Sequence, residues 1–488
     1  MSIEAGVLSS SGRRQAATAL MIATAMQAFD TTIANVALPQ LEESLGGGIE
    51  LGSWVMTSYL CASAVMAILT GWLRRRYGAR PLFVGSIALF IVASGLCSVA
   101  PSALALIQFR LLQGAAAGII QPLAQAILLD IYPQQDHGRM LAIWGATIMA
   151  GPILGPVLGG VIADLTSWRW IFALNFPLGV IAILGLGHVP AAAESTTKAP
   201  IDGIGLVLLI IGIGSLQLAL ERRIGQSWPL SAETAAAAAV AVLALTAIAI
   251  RSVRAQFTLF RFQVFANLNF SAAAFYNFLI GALLFTTIVF LPALSEGPLG
   301  YDATQAGLAL SPRGIGTMAM MLAIHYLIDR IDHRVLLATG LAITAGALVL
   351  MSWASPNGGQ IWLATASALQ GVGVGLLFTP LSTLAFSTLA SELRTDGAGV
   401  YSLLRQLGCA SGVAVMTTLL QARIQSNSLP AQELPLAGAG LPPEALNYGV
   451  LTAYTGCFRT MAIITATTLP GVLLFRALRP DAVAPTTV

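Results

Sequence analysis

Apolar residues run in blocks along this chain, broken by short stretches that hold most of its Arg, Asp and Pro. Each block is about twenty residues long, and at 1.5 Å of helical rise per residue that matches the ~30 Å hydrocarbon core of a bilayer. Backbone in lipid must satisfy its own hydrogen bonds, so such blocks form helices. Hydropathy windows of about 19 residues predict spans over 16–38, 52–72, 81–100, 103–128, 139–163, 168–189, 203–221 and 233–251. They continue over 268–292, 306–328, 335–354, 360–388, 398–420 and 452–476, which makes fourteen. The fold class is an all-α polytopic membrane protein.

Composition agrees. Of 488 residues 56% are hydrophobic and only 9% are charged, against about 25% charged in a soluble domain. The net charge of +3 says little until the charges are placed along the chain. With the N-terminus in the cytoplasm, sixteen of the 24 basic residues fall on the cytoplasmic side, among them Arg74, Arg75, Arg76 and Arg80. Arg169, Arg222, Arg223 and Arg423 fall outside, and the positive-inside rule therefore puts both termini in the cytoplasm. Arg13 and Arg14 precede a first span too long for a cleaved signal peptide. The outer stretch 421–451 reads as a surface excursion or a docking element.

Two passages recur. "GWLRRRYGARPLF" (71–83) resembles "HYLIDRIDHRVLL" (325–337), and "RLLQGAAAGII" (110–120) resembles "SALQGVGVGLL" (367–377), at offsets of 254 and 257. Similar offsets at corresponding spans predict two homologous six-helix halves, a transporter architecture with its substrate site between them. The expected division is 1–190 for the first half, 191–262 for two inserted helices and their linkers, and 263–488 for the second half.

Charge inside the spans marks the candidate chemistry. Asp30, in "MQAFDTTIANVALP", lies roughly 20 Å from the cytoplasmic edge of its helix. A charge at that depth costs about 2.5–3.5 kcal/mol. It should face a water-filled cavity or a partner, and protonation would remove the cost. Asp30 is thus a candidate proton carrier, or one partner of an ion pair that locks helices. Arg110 in span four cannot give up its proton; it can tune an acid, bind an anion, close a gate or satisfy neighbouring carbonyls. Gln113 shares its helix face, and Gly114 with Gly118 suits close helix contact. Asn35, Gln113, Asn277 and Arg405 are candidates for a substrate cavity, although Asn277 and Arg405 could equally be satisfied structural groups. "GPILGPVLGG" supplies Gly151, Pro152, Gly155, Pro156, Gly159 and Gly160, a pattern that permits close packing and bending. The turn 71–80, with Gly71, Arg75, Arg76, Gly78 and Arg80, anchors topology or contacts helix ends and lipid phosphates.

Other chemistries find no support. No Walker loop, hydrolase elbow, metalloprotease motif or dinucleotide fingerprint occurs. His137, His188, His325 and His333 are scattered, and Cys61, Cys97, Cys409 and Cys457 lack metal-ligand spacing. Neither a cofactor, a metal, nor a nucleic acid is expected, and nothing points to an enzyme. Uphill transport without a nucleotide site must draw on an ion gradient.

Together these passages resemble the major facilitator superfamily, in particular its fourteen-span drug:proton antiporter group. "FDTTIANVALP" resembles that group's first-span signature, which implies a proton-coupling role for Asp30. "RLLQGAAAG" resembles the fourth-span motif, which implies a functional Arg110. "GPILGPVLGG" resembles the antiporter motif of exporters. The loop between spans two and three usually carries an Asp where this chain has Arg75, while the second copy keeps Asp329 beside Arg330. That loop and the other motifs resemble the EmrB-type multidrug exporters. The resemblance implies hydrophobic or amphipathic small-molecule substrates, proton antiport, a bacterial inner-membrane location, and a periplasmic adaptor with an outer-membrane channel.

Overall fold

The computed structural model describes residues 10–36, 38–45, 48–186, 202–223, 231–254, 261–301, 303–328, 330–355, 359–432 and 443–475. Among them there is no strand. The first half contains α1 (Ser10–Val36), α2 (Leu38–Leu45), α3 (Gly48–Tyr77), α4 (Ala79–Ser98), α5 (Ala103–Ile131), α6 (His137–Leu165), α7 (Arg169–Ala173) and α8 (Asn175–Gly185). Two further helices follow, α9 (Gly203–Arg223) and α10 (Ala232–Arg254). The second half contains α11 (Leu268–Glu296), α12 (Ala303–Leu327), α13 (His333–Met351), α14 (Gly359–Ser387), α15 (Arg394–Gln432) and α16 (Pro443–Thr468).

Each of the fourteen predicted stretches is helical where described, and eleven of these helices are long and apolar enough to cross a membrane. They are α3 to α5 and α9 to α16; Arg169–Gly185 is a shorter apolar stretch. Three predicted elements differ in shape or extent. The stretch 168–189 passes from α7 to α8 at Leu174, whose backbone stays helical with its N–H on the Trp170 carbonyl. α15 runs twelve residues past the predicted end at 420, and α16 starts nine before the predicted 452, so the outer stretch 421–451 is helical at both ends. Hydropathy detects lipid, whereas Ala, Arg and Gln propagate a helix in water equally well.

α9 and α10 pack on one another, and α9 touches α3 and α15. The six-helix halves repeat internally. Gly114 and Gly118 of α5 lie against the backbone of Tyr59 and Ser63 in α3, and Gly371 and Gly375 of α14 lie likewise against Arg313 and Thr317 in α12. At each pair a Cβ would overlap the facing helix, so only glycine lets the backbones approach.

The halves join toward one end. A buried apolar cluster near residues 71–80 runs through both, linking Leu69, Ile120 and Trp144 to Met321, Phe378 and Tyr401. Toward the other end each half keeps its own cluster, Ile33, Leu41, Leu106 and Trp168 in the first, and Phe290, Leu291, Leu348 and Phe458 in the second.

Candidate functional site

Asp30 sits where six first-half helices meet, α1, α3, α4, α5, α7 and α8, and is 2% exposed. Its Oδ2 accepts from Arg110 Nη1 at 2.8 Å. Its Oδ1 accepts from Gln113 Nε2 and from Asn175 Nδ2, both at 2.8 Å. The same two amides donate to Ser94 Oγ on α4, at 2.7 Å and 3.1 Å. Gln113 Oε1 in turn accepts from Arg110 Nη1 at 2.7 Å and faces the Cys97 thiol at 3.8 Å. The Arg110 guanidinium lies 4.3 Å from the Tyr59 ring centroid and 5.5 Å from that of Phe172. A carboxylate with three N–H donors and a guanidinium with two aromatic neighbours meets the condition for burying charge, namely that it be paired and hydrogen-bonded. Of the two surroundings expected for Asp30, the structure shows partners around it.

Helix spacing builds this cluster. Arg110 and Gln113 are three apart on α5 and share a face. Phe172, on α7, and Asn175, the first residue of α8, are three apart in continuous helical backbone, which sets one over the guanidinium and the other against Asp30. The glycines of α6 hold α1 in place. Gly151 lies against the Ala28 backbone, Gly155 against Thr32 and Gly159 against Ile33. Thr32 Oγ1 adds a bond to the Gly151 carbonyl at 3.0 Å. This motif thus packs onto the helix that carries Asp30, and α6 is continuous through it. The side chains of Asn35, Pro152 and Pro156, and everything of Gly160 beyond its helical backbone, lie outside the described residues.

The second half holds a neutral counterpart. Gln370, 257 residues after Gln113, donates to Thr287 Oγ1 at 2.9 Å, and Thr287 is 257 residues after Asp30. Ser367 stands where the first half has Arg110. The charge pair was built into one half of the repeat.

The other predicted cavity residues sit elsewhere. Asn277 is buried on α11 and donates to the Tyr401 carbonyl of α15 at 2.6 Å. Arg405 on α15 reaches across the halves to Gln121 Oε1 on α5 at 3.1 Å.

The turn 71–80 forms a second charged cluster between the halves. Arg75 pairs with Asp396, in the first turn of α15, at 2.5 Å. Asp396 is fully buried and lies against Gly71, where a Cβ would overlap its carboxylate. Arg74 bonds Thr395 Oγ1 at 2.7 Å and Asp130 of α5 at 2.8 Å. Arg394 lies 3.5 Å from that same Asp130 and donates to the Leu129 carbonyl at 3.2 Å. Arg75 thus stands in the turn of the first half and its acid partner, Asp396, on the opposite half. Arg76 lies over the Trp72 and Tyr77 rings. Gly78 makes the turn with φ of 82°, a left-handed conformation that favours glycine. Arg80 is half-buried and Arg330 is exposed, while Asp329 lies outside the described residues.

Sequence reasoning passed over Asn175, Ser94, Tyr59, Asp130 and Asp396. Asn175 carried a usable signal, since it is the one amide in "IFALNFPLGV" and costs as much to bury as Asn277. Ser94 and Tyr59 carried none, because both are common in apolar helices. Among the described residues no group of three or more His, Cys, Asp or Glu could hold a metal.

A sequence profile described as Major Facilitator Superfamily matches residues 20–413. The "Multidrug export protein EmrB" of Haemophilus influenzae is 37% identical over 404 residues, which span 82% of this chain and 79% of that protein. The "Fatty acid resistance protein FarB" of Neisseria gonorrhoeae is 34% identical over 408 residues, 83% of this chain and 80% of that one. The crystal structure of the human organic anion transporter MFSD10 matches with a TM-score of 0.63 at 16% identity, covering 93% of this chain and 99% of that one, a likeness of fold. The two-half helical architecture, the profile match and these relatives establish that the chain belongs to the Major Facilitator Superfamily, as an EmrB-like member.

Proposed function

We propose that this chain is a proton-driven exporter of hydrophobic or amphipathic compounds, working by alternating access in the bacterial cytoplasmic membrane with both termini inside. The observation that carries the reading is the buried Asp30 carboxylate, held by donors from α5 and α8, in a chain 37% identical to a protein named for multidrug export. The gradient supplies the energy: one proton moving through 100 mV is worth about 2.3 kcal/mol.

In the described arrangement the halves meet at the end that this topology makes cytoplasmic, and Asp30 is paired with Arg110. A proton arriving from the outer side neutralises Asp30. Arg110 keeps its charge and loses the counter-ion that ties α5 to α1. The contacts among α1, α5 and α8 weaken, and the cytoplasmic pairs Arg75–Asp396 and Arg74–Thr395 give way. Substrate then enters from the cytoplasm or inner leaflet into the cavity between the halves. Release of the proton inside restores the Asp30–Arg110 pair and favours closure. Asp30→Asn keeps the shape and removes the titration, so it should abolish gradient-driven efflux in everted vesicles while membrane insertion persists. Undiminished efflux would sink the coupling role.

The 34% identity to a fatty acid resistance protein favours a narrower second reading, export of one lipid-like metabolite by the same mechanism. Efflux assays against a panel of dyes, antibiotics and fatty acids in an export-deficient host separate the two. Within this proposal the partners include a periplasmic adaptor and an outer-membrane channel, testable by co-purification.

A further inference from the structure

The Asp30 cluster is wired for one protonation state. All three bonds to the carboxylate come from N–H donors: Arg110 Nη1, Gln113 Nε2 and Asn175 Nδ2. A neutral carboxylic acid must instead donate its own O–H. Some neighbour must then change from donor to acceptor. Arg110 has no acceptor atom.

Gln113 is held in its present orientation. Its Oε1 faces Arg110 Nη1 at 2.7 Å and the Cys97 thiol at 3.8 Å, two donors. Turning that amide would set its NH2 against a guanidinium. Asn175 has no such restraint. Its Nδ2 makes both of its side-chain bonds, to Asp30 and to Ser94, and no bond to its Oδ1 is found among the described residues. Turning it exchanges an N–H donor for a carbonyl acceptor at nearly the same place. Ser94 can follow, because a hydroxyl both accepts and donates; it accepts from the amide now and can donate to the turned carbonyl.

We propose that Asn175 is a positioning residue that reads the protonation state of Asp30, its amide donating to the carboxylate and turning to accept from the carboxylic acid. The proposal rests on the reading that Asp30 carries the transported proton. The step balances simply: one proton passes from water to an Asp30 oxygen, the carboxylate charge disappears, and the Asn175 N–H bond is replaced by an O–H bond to Asn175 Oδ1. Among the described residues, the titratable and charged groups of the cluster around Asp30 are Arg110 from α5, Tyr59 from α3 and Cys97 from α4. α6 meets α1 on either side of Asp30 through Gly151 against Ala28 and Gly155 against Thr32, and α8 brings Asn175; none of these titrates. Asn175 is thus the uncharged group on which the balance between the two forms turns.

The test is an infrared pH titration of the full-length protein in lipid, following the carboxylic acid C=O absorption that Asp30→Asn removes. Asn175→Leu deletes a donor to the anion, and the lost acceptor for the acid offsets only part of that, because bonds to charge are stronger. The midpoint should rise by about one pH unit, roughly a tenfold gain in proton affinity. Asn175→Asp keeps the size of the side chain and sets a second acid beside Asp30. The two should share a proton and raise the midpoint further than the Leu variant does. An unchanged midpoint in both variants, with the Asp30 absorption present, overturns the role of Asn175 and leaves the proton-carrier reading standing. Absence of any absorption removed by Asp30→Asn overturns both.

Discussion

Removing Arg75 should open the end of the protein at which the halves meet, and removing Asp396 as well should cancel most of the effect. The geometry sets the scale. Asp396 has a fully buried side chain, Arg75 is 21% exposed, and they are 2.5 Å apart across the two halves. Truncating one member of a buried, hydrogen-bonded charge pair costs about 2–5 kcal/mol, much of it from the partner left unpaired. Partial exposure of Arg75 and the nearby Arg74 put the expected cost at the low end, about 2 kcal/mol. Arg75→Gln should therefore shift the ratio of closed to open by roughly 30-fold, at 1.36 kcal/mol per decade. In Asp396→Asn no buried charge remains to be stranded, so adding Arg75→Gln should change the ratio by less than about threefold. The assay is electron–electron distance spectroscopy in lipid with labels at Gln135 and Ser391, both exposed at this end, in a background without the four native cysteines. Equal shifts from Arg75→Gln in both backgrounds would refute the reasoning, as would no shift in either.

Further outcomes are expected elsewhere. Gly155→Val would drive a branched side chain into Thr32 of α1, so the detergent-solubilised protein should lose about 1–3 kcal/mol of stability and its melting temperature should fall; an unchanged melting curve contradicts the packing. Thr287→Val with Gln370→Leu replaces both members of a neutral buried bond and should leave efflux nearly intact, whereas Gln113→Leu strips a donor from Asp30 and should impair it severely. Asp202, just before α9, is held below the usual carboxylate range mainly by its hydrogen bonds from Arg251 of α10. A folded-state value lower than the unfolded one adds stability above about pH 4 that is lost as pH falls through the folded value. Arg251→Gln should therefore cost little at neutral pH, because the pair is open to solvent at Arg251, and remove that acid dependence, read by thermal melts across pH.

The apolar blocks needed only the length of a bilayer and the obligation of buried backbone to bond itself, so fourteen helical stretches and a paired architecture could be read from the chain. Asp30 and Arg110 were legible for the same reason: charge in hydrocarbon is expensive enough to stand out in one dimension. The place of Phe172 over the Arg110 guanidinium was not, because one more aromatic residue in an apolar helix does not stand out. Asn175 and Ser94 were hidden because their importance lies in what they touch, and the carboxylate they serve is 145 and 64 residues away in sequence. Arg75 shows the division most sharply. Sequence could say that a basic residue stands where an acid is usual, and leave the gate in doubt. Only packing of α15 against the 71–80 turn, with Gly71 leaving room for a carboxylate, shows that Arg75 has an acid partner on the other half, Asp396. Local chemistry decides which segments enter the membrane, since each pays its own transfer free energy. Which buried charges meet is decided by contacts between helices distant in sequence, and those exist only once the two halves have packed.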